Sequence, residues 1–160
     1  MKKLFEADFF PRVAGTDSPP LDPVSGSAAK GKRRILIVDD DANSTHLVKI
    51  LLERSGPYLV LEENDAARAD QTAHTFKPDV ILLDIVMPKI DGGELATQIQ
   101  ADRELHDTPI IFLTALVTHG EAKSGLHIQE HPLVAKPINI PALIDTIEKH
   151  LGVHWDVCCN

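Results

Sequence analysis

Short apolar runs alternate with longer amphipathic stretches along the chain from position 34 onward. The apolar runs are continuous, a pattern typical of strands buried on both faces of a parallel sheet. They cover residues 35–38, 58–61, 80–83, 110–113 and 133–135. Helices are predicted between and after them at 43–55, 65–76, 91–103, 117–129 and 139–151. The fourth helix has the poorest propensity, because Gly120 and Gly125 each cost about 1 kcal/mol relative to alanine.

This order of elements predicts an α/β fold, a doubly wound five-stranded parallel sheet flanked by five helices. The favoured strand order is 2-1-3-4-5, in which the second strand lies at an edge. Ligands of such sheets bind beyond the carboxyl ends of the strands, where the chain reverses direction across the sheet. The residues that directly follow each strand are therefore the candidates for function.

The chain of 160 residues is long enough for one domain with a substantial core. Ten of the 21 residues at 11–31 are Pro, Gly or Ser, without apolar periodicity, so we predict a flexible tail and linker over 1–32. The domain is expected at 33–151, followed by a short tail at 152–160. Membrane insertion is not expected, because no apolar run approaches the ~18–20 residues that a membrane span needs.

Composition and charge narrow the function further. Two adjacent cysteines near the end offer no disulfide framework. The chain starts basic, but Glu6 and Asp8 interrupt the apolar part that follows, which makes it a poor signal peptide. We therefore expect a cytoplasmic protein. Residues 1–34 carry a net charge of +3, whereas the remainder carries −11. An acidic domain argues against nucleic acid as a partner, since Lys and Arg supply most of such binding.

Polar side chains follow every predicted strand. Glu62 and Glu63 end the second strand, which is expected to lie at the edge of the sheet, away from the others. The other four strands are followed by Asp39, Asp40 and Asp41 (the first), Asp84 (the third), Thr114 (the fourth) and Lys136 (the fifth). Carboxylates packed together repel one another, and a divalent cation removes that problem. All-oxygen ligation by few carboxylates suits Mg²⁺. A carboxylate held near Mg²⁺, an ammonium and a hydroxyl can attack phosphorus, as in enzymes that form an aspartyl phosphate.

Each of these residues alone is ordinary for a turn or a helix cap, but the combination resembles the receiver (response regulator) family of two-component signalling. The resemblance covers residues 33–151. It rests on the run from Ile35 to Asp41, on Asp84 with Met87-Pro88 and Asp91-Gly92, on Thr114-Ala115 and on Lys136-Pro137. It implies that Asp84 accepts a phosphoryl group from a phosphohistidine on a sensor histidine kinase or a histidine phosphotransfer protein.

The resemblance also assigns roles to the other residues. Asp40 and, less directly, Asp39 would hold Mg²⁺, with Asp84 and the main-chain carbonyl of Val86 completing the site. Lys136 would pair with a phosphoryl oxygen, and Thr114 would bind the phosphoryl group and report its arrival by moving. The bond between Lys136 and Pro137 is expected to be cis. The chain would catalyse its own phosphorylation and dephosphorylation without turning over an external substrate.

Some positions depart from the pattern of the family. Leu133 stands where an aromatic switch residue is usual, and leucine has no polar tip that could alternate between buried and wet positions. We therefore expect residues 116–132 to carry the response to phosphorylation. The resemblance implies that two further positions, Val86 and Leu116 here, would lie beside the path of the hydrolytic water, and neither side chain can orient that water by a hydrogen bond. A long-lived aspartyl phosphate is expected.

Two other functions fit part of the pattern. Phosphohydrolases of the haloacid dehalogenase type also carry an Asp-x-Asp pair after the first strand, which Asp39 and Asp41 match. Against that alternative, the turn from Asp84 to Gly92 stays unexplained. The second alternative is a degenerate receiver that acts only as a binding module. Only nine residues follow Leu151, so we expect a stand-alone receiver whose output is a protein contact; the downstream protein, the pathway and the oligomeric state stay open.

Overall fold

Every predicted apolar run forms a strand in the computed structural model, which describes residues 31–115, 127–128 and 130–152. The strands are β1 (Arg33–Val38), β2 (Tyr58–Glu63), β3 (Val80–Asp84), β4 (Ile110–Thr114), β5 (His127–Ile128) and β6 (His131–Ala135). They form a sheet in the order β2-β1-β3-β4-β6-β5. The five longer strands are parallel, and β5 pairs antiparallel with β6 at one edge. The predicted five-stranded parallel sheet and its strand order are confirmed.

Polar side chains cap the start of three of the four described helices. Within the described residues the helices are α1 (Ala42–Ser55), α2 (Ala69–Phe76, after a 3₁₀ turn at Ala66–Arg68), α3 (Gly92–Ala101) and α4 (Ile140–His150). The side chains of Asp41, Asp91 and Asn139 accept hydrogen bonds from the first-turn N–H groups of α1, α3 and α4. Each such cap contributes about 1 kcal/mol. Asp41, on the strand-end acidic run, therefore serves the fold as a cap.

One of the five predicted helices differs from the structure. Of the helix predicted over 117–129, residues 117–126 and 129 lie outside the described residues, and His127–Ile128 form β5 instead. This part of the prediction is wrong, because Glu130 turns the chain in the left-handed region, at φ 70°, and the two residues pair with Pro132 and His131. The helix predicted over 91–103 also ends early, at Ala101.

The sheet separates two apolar cores. On one face Leu83, Phe112 and Leu133 pack with α2 and α3 residues, and on the other Leu82 and Leu113 pack with residues of α1 and α4. Burying an aliphatic or aromatic side chain of this size stabilises the fold by roughly 1.5–3 kcal/mol. Continuous apolar strands are therefore required, since both faces are covered by helices. Among the described helices, none has the length and apolar character needed to cross a membrane.

Strand β2 forms the edge of the sheet opposite β5. The main-chain N–H of Val60 donates a hydrogen bond to Glu53 Oε1 of α1 at 3.0 Å. At the start of the strand the Tyr58 hydroxyl donates to Glu148 Oε1 of α4 at 3.1 Å. Side chains of two helices thus hold this edge strand in addition to its ladder with β1.

Candidate functional site

Three carboxylates meet at the carboxyl edge of the sheet. In the register of the central strands Val38 pairs with Leu83, so the residues that follow them, Asp39 and Asp84, stand side by side. One carboxylate oxygen from each of Asp39, Asp40 and Asp84 lies within 4.8 Å of the other two. Asp39 and Asp84 are only 2% and 6% exposed, whereas Asp40 is exposed. The structure therefore brings together the three acidic residues that the sequence singles out for a metal site.

Lys136 supplies the positive charge of this pocket. Its Nζ lies 2.6 Å from Asp39 Oδ2 and 3.5 Å from Asp84 Oδ1. The residue directly follows β6, its main-chain N–H donates to the carbonyl of Thr114, and its bond to Pro137 is cis, as expected. Burial lowers the pKa of the Lys136 ammonium, but the hydrogen bond and the charge of Asp39 and the charge of Asp84 outweigh burial and raise that pKa. Lys136 is therefore firmly charged.

The environment of Asp84 raises the pKa of its carboxyl. Burial is the largest cause, and the nearby charge of Asp39 adds to it. The ammonium of Lys136 and a hydrogen bond from the main-chain N–H of Val86 act in the opposite direction and leave the pKa raised. A carboxylate in this position is partly desolvated and near another negative charge, so further positive charge in the pocket would stabilise it.

The donor set of the pocket fits Mg²⁺. Three carboxylates face one ammonium, so the fully ionised cluster has two uncompensated negative charges, which a divalent cation balances. The groups that could bind a cation are oxygens, the ligands that Mg²⁺ prefers, and there are few enough of them to leave room for water and phosphate oxygens. The residues that could hold the ion are Asp39, Asp40 and Asp84.

A close main-chain approach fixes the loop that follows Asp84. Gly92, the first residue of α3, donates its N–H to the carbonyl of Ile85 at 2.9 Å. A Cβ added at Gly92 would lie 2.2 Å from the main-chain oxygen of Asp84, a distance that no side chain can occupy. Lys89 in the same loop has a left-handed φ of 77°. Glycine is therefore required at position 92 for the start of α3 to pack against the end of β3.

The remaining predicted site residues lie at the same edge or just beneath it. Thr114 ends β4 and is fully buried, and it pairs in register with Ala135 of β6. The side chain of Val86 is 58% exposed, beside the pocket. Leu133 is buried in the core and pairs in register with Phe112. The expected roles of Leu116 concern a position outside the described residues.

Sequence reasoning missed two residues that hold the acidic loop. The Asn64 side chain donates from Nδ2 to the main-chain oxygen of Asp39 at 2.7 Å and to Thr45 Oγ1 at 3.1 Å. Thr45 is buried in α1 and donates to the carbonyl of Ala42. Asn64 follows β2, which the strand order places at the edge, and the end of that strand was expected to lie away from the pocket. The sequence offered one signal for this contact: Asn64 directly follows a strand, and Thr45 is a polar residue on the otherwise apolar face of α1.

Comparisons with known proteins agree with this arrangement. The family model described as "Response regulator receiver domain" matches residues 35–148. The polar-differentiation response regulator DivK of Brucella anthropi is 31% identical over 120 residues, which cover 75% of this chain and 97% of DivK.

Solved structures show the same similarity. The receiver domain of the Francisella response regulator 1452 is 27% identical, with a TM-score of 0.63, over 75% of this chain and 97% of that chain. The chemotaxis protein CheY4 of Vibrio cholerae is 26% identical, with a TM-score of 0.63, over 73% of this chain and 97% of that chain. The fold of this chain is therefore similar to that of solved receiver domains.

Proposed function

Because the chain belongs to the response regulator receiver family, we propose that it accepts a phosphoryl group on Asp84 from a phosphohistidine and signals through phosphorylation-dependent protein contacts. One observation carries this proposal. Asp84 is almost buried and lies beside the ammonium of Lys136 and the carboxylates of Asp39 and Asp40. A nucleophile, a fixed cation and a set of oxygen ligands thus share one pocket.

Asp84 acts as the nucleophile in this proposal. One of its carboxylate oxygens attacks the phosphorus of the phosphohistidine, so that a P–O bond forms and the P–N bond breaks. The imidazole leaves with the electron pair of that bond and takes up a proton. Partial burial removes the water that would otherwise solvate the carboxylate, and the close approach of Gly92 keeps the main chain of Asp84 in place.

Lys136 balances the charge of the phosphoryl group. Its Nζ is 3.5 Å from Asp84 Oδ1, close enough to pair with an oxygen of a group attached there. To do so the ammonium turns away from Asp39, its partner at 2.6 Å. Thr114, buried at the end of β4, donates a hydrogen bond to the same group and reports its arrival.

Asp40 and Asp84 provide the more accessible oxygens for Mg²⁺, with the main-chain carbonyl of Val86. Both oxygens of Asp39 already accept hydrogen bonds, Oδ2 from Lys136 and Oδ1 from the N–H of Asp41 at 2.9 Å, so Asp39 acts less directly. When bound, Mg²⁺ supplies the charge that offsets repulsion between the carboxylates and the phosphoryl oxygens.

The partners proposed are a sensor histidine kinase or a histidine phosphotransfer protein as donor, and a downstream protein as receiver of the signal. The exchange takes place in the cytoplasm, the location expected from the sequence. Membership of the receiver family argues against the phosphohydrolase alternative, which does not explain the turn from Asp84 to Gly92. A receiver that only binds partners would keep the fold and form no aspartyl phosphate.

Mass spectrometry of the intact protein tests the proposal. The full chain is incubated with acetyl phosphate and Mg²⁺, and one added phosphoryl group is expected. Asp84→Asn should prevent the addition, and so should a chelator. Asp41→Asn is the matched control, because asparagine caps a helix as well as aspartate does, and it should be labelled like the parent. Label that persists in Asp84→Asn, or that ignores the chelator, would overturn the assignment.

A further inference from the structure

A second cluster of potential metal ligands lies at the amino ends of the parallel strands, across the sheet from the acidic pocket. Helices α2 and α3 each lead the chain from the carboxyl edge of the parallel strands back to the amino edge, so their last residues are remote from Asp84. His74 lies in the last turn of α2, and Asp102 directly follows α3. The carboxylates of Asp70 and Glu104 face the same imidazole.

The distances in this cluster suit a metal ion. His74 Nε2 lies 3.0 Å from Asp102 Oδ2 and 3.8 Å from Asp70 Oδ1, and one ligand atom from each residue lies within 4.8 Å of the others. Tetrahedral Zn²⁺ with bonds of ~2.0–2.1 Å separates neighbouring ligand atoms by about 3.3 Å. The two separations from Nε2 lie on either side of that value, and the ligand atoms of Asp70 and Asp102 lie within 4.8 Å of one another.

Hydrogen bonds and ion pairs within the cluster position Asp102 and His74. Asp102 Oδ1 accepts hydrogen bonds from the main-chain N–H groups of Glu104 at 2.8 Å and Leu105 at 3.2 Å, which points Oδ2 at His74. Asp70 and His74 are spaced i,i+4 and share one face of α2. Glu104 Oε2 lies 3.4 Å from the other ring nitrogen, Nδ1. An outer carboxylate at this position orients a ligating imidazole and directs Nε2 toward the metal.

We propose that His74 Nε2, Asp70 Oδ1 and Asp102 Oδ2 bind a divalent transition-metal ion of the Zn²⁺ type, with Glu104 orienting the imidazole. A water molecule completes the tetrahedron. An imidazole nitrogen among the ligands favours Zn²⁺ over Mg²⁺, which prefers oxygen. The site is therefore distinct in chemistry and in place from the acidic pocket around Asp84. Bound metal would link α2 to the segment that follows α3.

A protonated His74 among carboxylates is the competing state. Burial lowers the pKa of the His74 imidazole, but the charge and hydrogen bond of Asp102, helped by Glu104 and Asp70, outweigh burial and raise it. Lys77, which lines the adjoining cavity of about 270 Å³ with His74 and Glu104, adds a positive charge nearby. A metal ion must displace the imidazole proton, so binding strengthens as pH rises.

Calorimetric titration of the full chain with Zn²⁺ tests the proposal. All proteins carry Cys158→Ser and Cys159→Ser, which removes the thiol ligands, and excess Mg²⁺ is present to compete with the added ion for the acidic pocket. His74→Gln removes the nitrogen ligand. Asp102→Asn neutralises the Oδ2 ligand and keeps an Oδ1 acceptor for Glu104 and Leu105. His150→Gln, on α4, is the control.

We expect one Zn²⁺ per chain in the parent and in the control. Affinity should fall at least about tenfold in His74→Gln and in Asp102→Asn. Bound metal should also raise the unfolding temperature of the parent and not that of His74→Gln, because an ion that binds only the folded state stabilises it. Equal Zn²⁺ affinity in all variants, or no binding in the parent from pH 6 to pH 8, would overturn the proposal and leave a protonated ion-pair cluster.

Discussion

The ammonium of Lys136 lies 2.6 Å from the carboxylate of Asp39, although the two residues are 97 positions apart in the chain. They follow β6 and β1, strands that are separated in the sheet by β3 and β4. The ion pair therefore spans the ends of both intervening strands, and the same ammonium lies 3.5 Å from Asp84 Oδ1. Without a phosphoryl group Lys136 is engaged by Asp39, and a phosphoryl group on Asp84 has to compete for it.

Lys136→Met should slow phosphorylation of Asp84 by about 10²–10³-fold, the usual loss when one preorganised electrostatic contact is removed. The rate of label uptake from acetyl phosphate at saturating Mg²⁺ measures this. Lys149→Met is the control, because Lys149 is exposed on α4, where its ammonium pairs with Asp145 at 2.7 Å. Circular dichroism should show an intact fold in both variants. An unchanged rate in Lys136→Met would remove Lys136 from the mechanism.

Gly92→Ala should destabilise the protein by about 1–3 kcal/mol, as overpacking of a tight site does. The added Cβ would lie 2.2 Å from the main-chain oxygen of Asp84, so α3 or the acceptor loop has to move. Denaturant unfolding measures the loss, and the phosphorylation rate should fall as well. Gly31→Ala, where a Cβ has open space, is the control and should change neither quantity. Parent-like stability and rate in Gly92→Ala would contradict the close approach.

The aspartyl phosphate should decay slowly in the parent protein. Val86 cannot orient a hydrolytic water, because its side chain is apolar, although 58% of it is exposed beside the pocket. Val86→Asn or Leu116→Glu should therefore accelerate decay by up to about 10²-fold, the usual effect of one orienting contact. Loss of label after removal of the phosphodonor gives the rate. Rapid decay in the parent, or no acceleration in either variant, would contradict this prediction.

Phosphorylation should alter residues 116–132 more than Leu133. Leu133 is 7% exposed and packs in an apolar core with Phe112. Its side chain has no polar group that would favour a second, solvent-exposed position. Amide exchange with and without a phosphoryl mimic, in parent and in Asp84→Asn, reports which segments respond. Changes confined to the strand of Leu133 would show that the usual switch position still operates.

The chain has a single tyrosine, Tyr58, so its ionisation can be followed by phenolate absorbance. Burial, followed by the charge and the hydrogen bond of Glu148, raises the pKa of Tyr58 to about 12. The unfolded chain loses this proton near the ordinary value of about 10, so stability falls as pH rises from about 10 to 12. Glu148→Gln should lower the pKa of Tyr58 toward that value. A parent pKa near 10 would contradict the burial argument.

Sequence patterns predicted the parallel sheet and the acidic pocket because continuous apolar runs and strand-end residues have few alternatives in an α/β fold. The pair of His127 and Ile128 could not be predicted in the same way. A two-residue antiparallel strand depends on its partner β6 and on the turn at Glu130, and it has no period of its own.

Polar contacts between separate elements could not be predicted from the sequence either. The role of Asn64 depends on where the main chain of Asp39 passes, and the cluster of His74 and Asp102 depends on how α2 and α3 end side by side. Residues 28 positions apart in the chain have no shared local pattern. Periodicity therefore locates faces and strand ends, whereas contacts between elements appear only in the folded chain.

The hydrogen bond from Val60 N–H to Glu53 affects how copies of the protein meet one another. An edge strand offers main-chain donors with which the strand of another chain can pair, a common route to aggregation. Glu53 occupies one of these donors on β2 and places a charged side chain at that edge. The carboxylate thus protects the sheet against the addition of a strand from another molecule. We expect Glu53→Ala to fold and to aggregate more readily at high protein concentration.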